Sequence, residues 1–237
     1  MYFCYRLKLT ELPDNILVSI FKLFDLQFLL QVGNRTCKRL DSLIEENSIL
    51  WRFFEFDIEL AVKSSDLERI LQHSSCFRRF LLPRSNFEIQ IPNTIIEGSL
   101  ERCRYLYWLD LSDSTITSLS FLRKTPELEV LDLTGCKLLH DSEFLEIHNC
   151  TKLDHLFLSF TNITPYTFVA VASKQNLITL DGCGIELNVS QCKRILKENC
   201  RHLQYFSLSL AASVNHYLFE SEITSVFCDC QFNIYKI

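Results

Sequence analysis

Leu106-Tyr107-Trp108-Leu109-Asp110-Leu111 is followed by Leu128-Glu129-Val130-Leu131-Asp132-Leu133 and then by Leu153-Asp154-His155-Leu156-Phe157-Leu158. The shared phrase is Leu-x-x-Leu-x-Leu. In its last three positions the apolar residues alternate. Both leucines therefore point to one face of a short strand, and the residue between them points to the other. Looser copies are Phe77-x-x-Phe80-x-Leu82, Leu177-x-x-Leu180-x-Gly182 and Leu203-x-x-Phe206-x-Leu208. First positions are separated by 29, 22, 25, 24 and 26 residues, the period of a solenoid unit made of one strand and one return segment. A single three-residue strand cannot bury its own leucines. Stacking several in parallel builds a continuous core, with open-face residues on a concave side.

The return segments read as helical. The segment Asp141-Ser142-Glu143-Phe144-Leu145-Glu146-Ile147 follows an N-cap, with Phe144, Leu145 and Ile147 available for one face. Thr164-Pro165 places a capping hydroxyl before a proline suited to a first helical turn. Asn188 to Asn199 carries Val189, Cys192, Ile195 and Leu196 as an inner stripe. Three repeats add a cysteine three residues before the first leucine (Cys103, Cys150, Cys200), and two add one after the strand (Cys136, Cys183). This pattern resembles the cysteine-containing class of leucine-rich repeats, whose thiols are interior. After Leu210 the pattern decays, and residues 216–237 read as an irregular cap or tail.

Composition sets the outer limits. The chain has 237 residues, 48% hydrophobic and 22% charged, enough for a sizeable core and unlike a disordered segment. A net charge of −5 argues against a nucleic-acid partner, which favours a basic stripe. Eleven cysteines would suit a secreted disulfide framework, yet the number is odd. Arg6 and Lys8 also interrupt the apolar start before a signal-peptide core can form. The expected location is cytoplasmic and/or nuclear, with reduced thiols; the four Asn-x-Ser/Thr sequons are read as chance. No run of eighteen apolar residues occurs, so no membrane span is expected. Cys200/His202 and Cys228-Asp229-Cys230 admit a metal reading, but neither offers paired Cys-x-x-Cys ligands. No metal and no cofactor is expected. No phosphate loop, Gly-x-Ser-x-Gly or His-Glu-x-x-His is present, and the six histidines are scattered, so the chain is not expected to be an enzyme.

The first part of the chain has a different grammar. Thr10-Glu11-Leu12-Pro13 opens a helix over 13–23, with Ile16, Leu17, Ile20 and Phe21 on one apolar face. Short amphipathic segments follow over 26–32 and 37–46, and Leu50-Trp51 closes the set. A unit of about 45 residues has a marginal core on its own and gains from a partner. The ordered set Leu12-Pro13, Ile16-Leu17, Ile20-Phe21, Leu26, Leu29, Cys37-Lys38-Arg39 and Leu50-Trp51 resembles the F-box. Thr36 and Leu40 depart from the usual Val and Trp, and Thr36 puts a hydroxyl in an apolar seat. With the repeats behind it, the chain resembles the F-box and leucine-rich-repeat family.

The resemblance implies an α/β architecture: a three-helix F-box followed by a right-handed solenoid with parallel concave strands and convex helices. Its boundaries read as F-box 10–56, helical connector 57–76, repeats 77–215 and the tail 216–237. It further implies a substrate receptor of an SCF-type ubiquitin ligase, non-catalytic, docking the Skp adaptor and through it cullin and RING subunits. The alternative is a repeat scaffold without ligase assembly. Leu12, Pro13, Ile16, Leu17, Ile20, Phe21 and Trp51 are the expected adaptor contacts, or else packing residues of the module. Trp108, Asp110, Asp132, His155, Phe157, Asp181 and Tyr205 are the expected substrate contacts. Asp110, Asp132 and Asp181 share a register, which suits a target with Lys or Arg, or else they are ordinary solvated positions. Arg79, Arg84 and Arg104 beside this strip permit a phosphate site.

Overall fold

The computed structural model describes residues 8–25, 28–30, 37–52, 69–82, 93–173, 176–199, 202–210 and 231–236. Among the described residues, seven strands form one sheet in sequence order, every neighbouring pair parallel. They are β1 (Arg79–Leu81), β2 (Trp108–Asp110), β3 (Val130–Asp132), β4 (His155–Phe157), β5 (Thr179–Leu187), β6 (Tyr205–Leu210) and β7 (Gln231–Lys236). Pairing aligns Phe80, Leu109, Leu131, Leu156, Leu180 and Phe206 in one row, and each of these side chains is fully buried. Burying one such side chain is worth about 1.5–3 kcal/mol, so the row alone supplies a large share of the driving force. β7 corrects the sequence reading of an irregular tail: residues 231–236 continue the sheet in register with β6. Its Gln-x-Asn-x-Tyr alternation lacks the leucine phrase, which is why the pattern hid it.

The first positions of the phrase, Phe77, Leu106, Leu128, Leu153, Leu177 and Leu203, are buried as well. The returns are less uniformly α-helical than expected. Helices α3 (Asn93–Leu100), α5 (Pro165–Ala172) and α6 (Val189–Asn199) are full turns of α. The return between β2 and β3 is a 3-10 turn over Ser120–Lys124, and that between β3 and β4 is a short α4 (Asp141–Phe144) continued as 3-10 over Leu145–Asn149. Thr164 caps α5 as expected, accepting the Thr167 N–H, with Pro165 in the first turn. Asp141 does something different. It accepts the Thr164 N–H (2.9 Å) and hydroxyl (2.6 Å) of the next repeat, and those bonds hold its carboxyl below the usual range against the opposing effect of burial.

Gly182 stands where a core leucine belongs, and Phe168 of α5 fills the space. A Cβ built on Gly182 would lie 2.5 Å from the Phe168 ring, which is itself fully buried. β5 then runs on past a register shift between Gly182 and Glu186, burying Ile185 and Leu187.

At the exit of four successive strands, one residue adopts a left-handed backbone: Asp113 (φ 57°), Gly135 (φ 72°), Phe160 (φ 57°) and Gly184 (φ 86°). Each lies four residues past the row leucine of its repeat. Glycine makes this turn freely, whereas a residue with a Cβ loses roughly 1–2 kcal/mol. The two glycines also give room to their neighbours. Asp113 leans over Gly135, and the Phe160 ring rests on Gly184.

The N-terminal module packs α1 (Asp14–Phe21) against α2 (Lys38–Glu46), with helical backbone at 28–30 between them. Leu17, Phe21, Leu29, Leu30, Leu40, Leu43, Ile44, Leu50 and Trp51 are buried and join the same core as the repeats. Leu40 thus fills its seat despite departing from the usual Trp. The remainder of segment 26–32, Thr36 and connector residues 57–68 lie outside the described residues. The described part of the connector is helical at 69–72, then turns through 3-10 at Ser74–Cys76.

Replacing Gly182 with Ala will destabilise the chain by about 1–3 kcal/mol through overpacking against Phe168. The Gly182→Ala/Phe168→Leu pair will be more stable than the sum of its single variants. Chemical denaturation midpoints of the four proteins check both statements.

Candidate functional site

Two surfaces carry the residues singled out from the sequence. The first is on the N-terminal module. α1 has apolar residues on two sides. Leu17 and Phe21 turn inward and are buried, Ile20 is partly buried and packs against the same core, and Ile16, at 44% exposure, faces solvent with Pro13 exposed before it. Leu12 is partly buried. Trp51 is wholly internal. Of the expected contact set, Pro13 and Ile16 are exposed, Leu12 and Ile20 are partly buried against the core, and Leu17, Phe21 and Trp51 are core. Positions one apart on a helix point about 100° apart, so an apolar stripe this wide buries Leu17 and Phe21 while Ile16 at its edge faces solvent. Leu9, Leu23, Phe24 and Phe28 extend the apolar surface, with the Phe24 and Phe28 rings stacked 4.7 Å apart.

Arg39, quoted above only as part of a motif, proves to be the fastener of this surface. Its guanidinium donates to the Thr10 carbonyl (2.5 Å), the Leu12 carbonyl (2.8 Å) and Asp14 Oδ1 (2.5 Å). These bonds hold the turn that presents Leu12 and Pro13. A planar fork of donors suits two carbonyls and a carboxylate at once.

A joint links module to repeats. The Trp51 indole N–H donates to the Ile44 carbonyl (2.9 Å), and its ring stacks on His73 with centroids 3.9 Å apart. His73 Nε2 is 2.6 Å from Glu45 Oε2. Arg69 pairs with Glu45 and Asp41, and Arg102 of the repeats donates to the Leu71 carbonyl and the Ser74 hydroxyl. Trp51 therefore locks the module onto the connector.

The second surface is the face of the sheet opposite the returns. Pairing sets Arg79, Trp108, Val130, His155, Thr179 and Tyr205 in one row, and Leu81, Asp110, Asp132, Phe157, Asp181 and Ser207 in the next. All seven expected substrate contacts fall in these two rows, each partly exposed. Arg79 lies over the Trp108 ring at 4.5 Å, and His155 Nδ1 meets the Thr179 hydroxyl at 2.9 Å. The aspartates are not simply solvated. Asp110 Oδ1 accepts the Ser112 N–H (2.9 Å) and Asp132 Oδ1 the Thr134 N–H (2.8 Å). Asp181 Oδ1 accepts the Ser159 hydroxyl (2.6 Å) and the Cys183 N–H (3.3 Å). A carboxylate bonding its own backbone two residues on fixes a turn, so each aspartate also shapes a strand exit. An open cavity lies elsewhere, on the loop edge, lined by Thr117, Lys137, Leu138, His140 and Asn162. Arg84 lies outside the described residues, and Arg104 is exposed before β2.

Cys103, Cys136 and Cys150 of the repeats are buried, as is Cys192, whereas Cys183 is partly exposed. Burial pushes Cys103, Cys150 and Cys192 up to about 12 and Cys136 up to about 11. The Cys103 and Cys136 thiols donate to the carbonyls of Ser74 (3.2 Å) and Leu111 (3.0 Å). Such thiols stay protonated at neutral pH and act as packing groups. Among the described residues no three potential metal ligands come together; Cys200, Cys228 and Cys230 lie outside them. No described helix is long and apolar enough to cross a membrane.

The comparisons with known proteins fall on the same two parts. Residues 9–57 match the F-box-like family model. The N-terminal module is an F-box-like domain. Beyond this F-box-like domain, the chain is similar to solved structures. One is an internalin of Listeria monocytogenes, at 11% identity over 73% of this chain and 46% of that one, with a TM-score of 0.45. Another is a leucine-rich-repeat protein of Leptospira interrogans, at 15% identity over 70% of this chain and 50% of that one, with a TM-score of 0.42. The chain spans about half the length of these structures. No curated protein sequence matches it.

Two outcomes are expected. Trp51→Ala will cost about 3–5 kcal/mol, read by thermal or chemical denaturation, whereas Ile16→Ala will leave the midpoint nearly unchanged. Iodoacetamide at pH 8 will modify Cys37 and Cys76, which are partly exposed, before Cys103, Cys136, Cys150 and Cys192. Mass spectrometry of timed digests reads the order, and denaturant will erase it.

Proposed function

We propose that the chain is a non-catalytic substrate receptor of an SCF-type ubiquitin ligase. In this reading the F-box-like domain docks a Skp-type adaptor and, through it, cullin and RING subunits. The open face of the sheet holds the protein to be ubiquitinated, in the cytoplasm and/or nucleus, and no cofactor takes part. The observation that carries the reading is the pairing of an F-box-like domain with a separate, side-chain-rich sheet face in one chain. The exposed Pro13 and Ile16 give the domain an apolar surface patch. Such a surface on a small helical unit suits a protein partner. The repeat face offers Trp108, Phe157 and Tyr205, aromatic types enriched among interface anchors. The receptor would contribute proximity, raising the effective concentration of a target lysine near a transfer centre on another subunit.

Co-precipitation with purified Skp-type adaptor and cullin tests the reading. The wild-type chain is expected to recover both. The Pro13→Ala/Ile16→Ala variant is expected to lose them tenfold or more while its circular dichroism and melting temperature hold. Loss of the wild-type complex would leave a repeat scaffold without ligase assembly.

A further inference from the structure

Phe160 is an anomaly with three independent parts. Its backbone is left-handed at φ 57°, a conformation that bulky residues avoid. At the equivalent exits, Gly135 and Gly184 make the same turn without strain and Asp113 makes it with a short side chain. Its side chain is also 60% exposed, so burial within this chain does not repay the strain. Finally, the turn is rigid. The Phe160 N–H donates to the Cys183 carbonyl (2.8 Å), the Thr161 hydroxyl to the Leu158 carbonyl (2.8 Å), and the ring rests against the Gly184 position. A strained, rigid and exposed aromatic is what a binding anchor looks like before its partner arrives.

The surroundings indicate what it takes. Because its neighbours in the row are Gly135 and Gly184, the ring stands as a ridge with no side chain on either side at that level. Two repeats away, Asp113 is exposed and bends over Gly135. Two strand spacings amount to roughly 10 Å. On the adjoining face, Phe157 lies between Asp132 and Asp181. An extended peptide crossing the strand exits would advance about 3.3 Å per residue, so residues three apart would reach Phe160 and Asp113 together.

We propose that Phe160 is the anchor of a peptide-docking edge. Its occupant is a segment of a partner protein with an apolar side chain seated on the Phe160 ring and a Lys or Arg about three residues away facing Asp113. This deepens the receptor reading by naming the class of substrate segment, and it rests on that reading for its biological role.

The test uses the full chain and a random dodecapeptide phage library, selected on wild type and counter-selected on Phe160→Asn. Asparagine tolerates the left-handed turn, so the variant keeps the backbone and removes the ring. The expected peptides carry an apolar residue beside a basic one. They bind Phe160→Asn at least tenfold more weakly, and binding to Asp113→Asn depends less on their basic residue. Phe160→Asn is expected to melt at or above the wild-type temperature, because strain is relieved. A lower melting temperature would make Phe160 a packing residue and overturn the proposal. So would peptides that bind both proteins equally, peptides rich in acidic residues, or no enrichment over the counter-selection. Adaptor co-precipitation by Phe160→Asn is expected to match wild type. Failure of the docking edge is thereby read separately from failure of the ligase assignment.

Discussion

Parallel register is the constraint on which the rest of this structure depends. No three-residue strand is stable alone. Each becomes so because pairing in register brings one large apolar side chain per repeat into a single buried row, from Phe80 to Phe206. The same register fixes everything on the opposite face. Once Leu109, Leu131 and Leu156 are aligned, Trp108, Val130 and His155 must be aligned too. The binding surface is a by-product of how the core closes. Where the core phrase fails, at Gly182, a ring from the neighbouring helix fills the gap; the register holds up to Gly182 and shifts only after it.

The two ends of the chain solve different problems. The repeats extend a core by addition, and polar groups between repeats hold them in step, as Asp141 does by accepting from Thr164. The F-box-like domain is too small to add anything indefinitely. It divides its apolar residues between a core that includes Leu17, Phe21 and Trp51 and a surface that includes Ile16. Trp51 joins the two regimes. Its ring is buried against His73, and His73 is bonded to Glu45 of α2. A tryptophan that closes the motif in sequence therefore closes the domain onto the connector in space.

Much of this was legible in the residues. The Leu-x-x-Leu-x-Leu restarts gave the strands their positions and order because period two and period twenty-odd are both visible in one dimension. The inward thiols, the Thr164-Pro165 helix start and the α6 stripe followed from the same spacing. β7 did not, because Gln231 to Lys236 pairs through its backbone and carries no leucine phrase. The short returns did not either, since a 3-10 turn and an α turn have similar apolar spacing over four or five residues. The aspartate row was legible as a row, but its bonds to Ser112, Thr134 and Cys183 were not, because they depend on the backbone direction after the strand.

The sequence by itself determined the repeat period, the row of core side chains, the residues of the open face and the F-box-like segment, since each is a pattern of residue types at fixed spacing. Only the tertiary structure decided which apolar residues of α1 are surface and which are core, that Arg39 fastens the Leu12–Pro13 turn, and that Phe168 stands in for the side chain Gly182 lacks. It alone showed Phe160 held in a glycine's conformation. These outcomes depend on which side chain occupies a shared space once distant segments meet, and spacing along the chain carries no record of that competition.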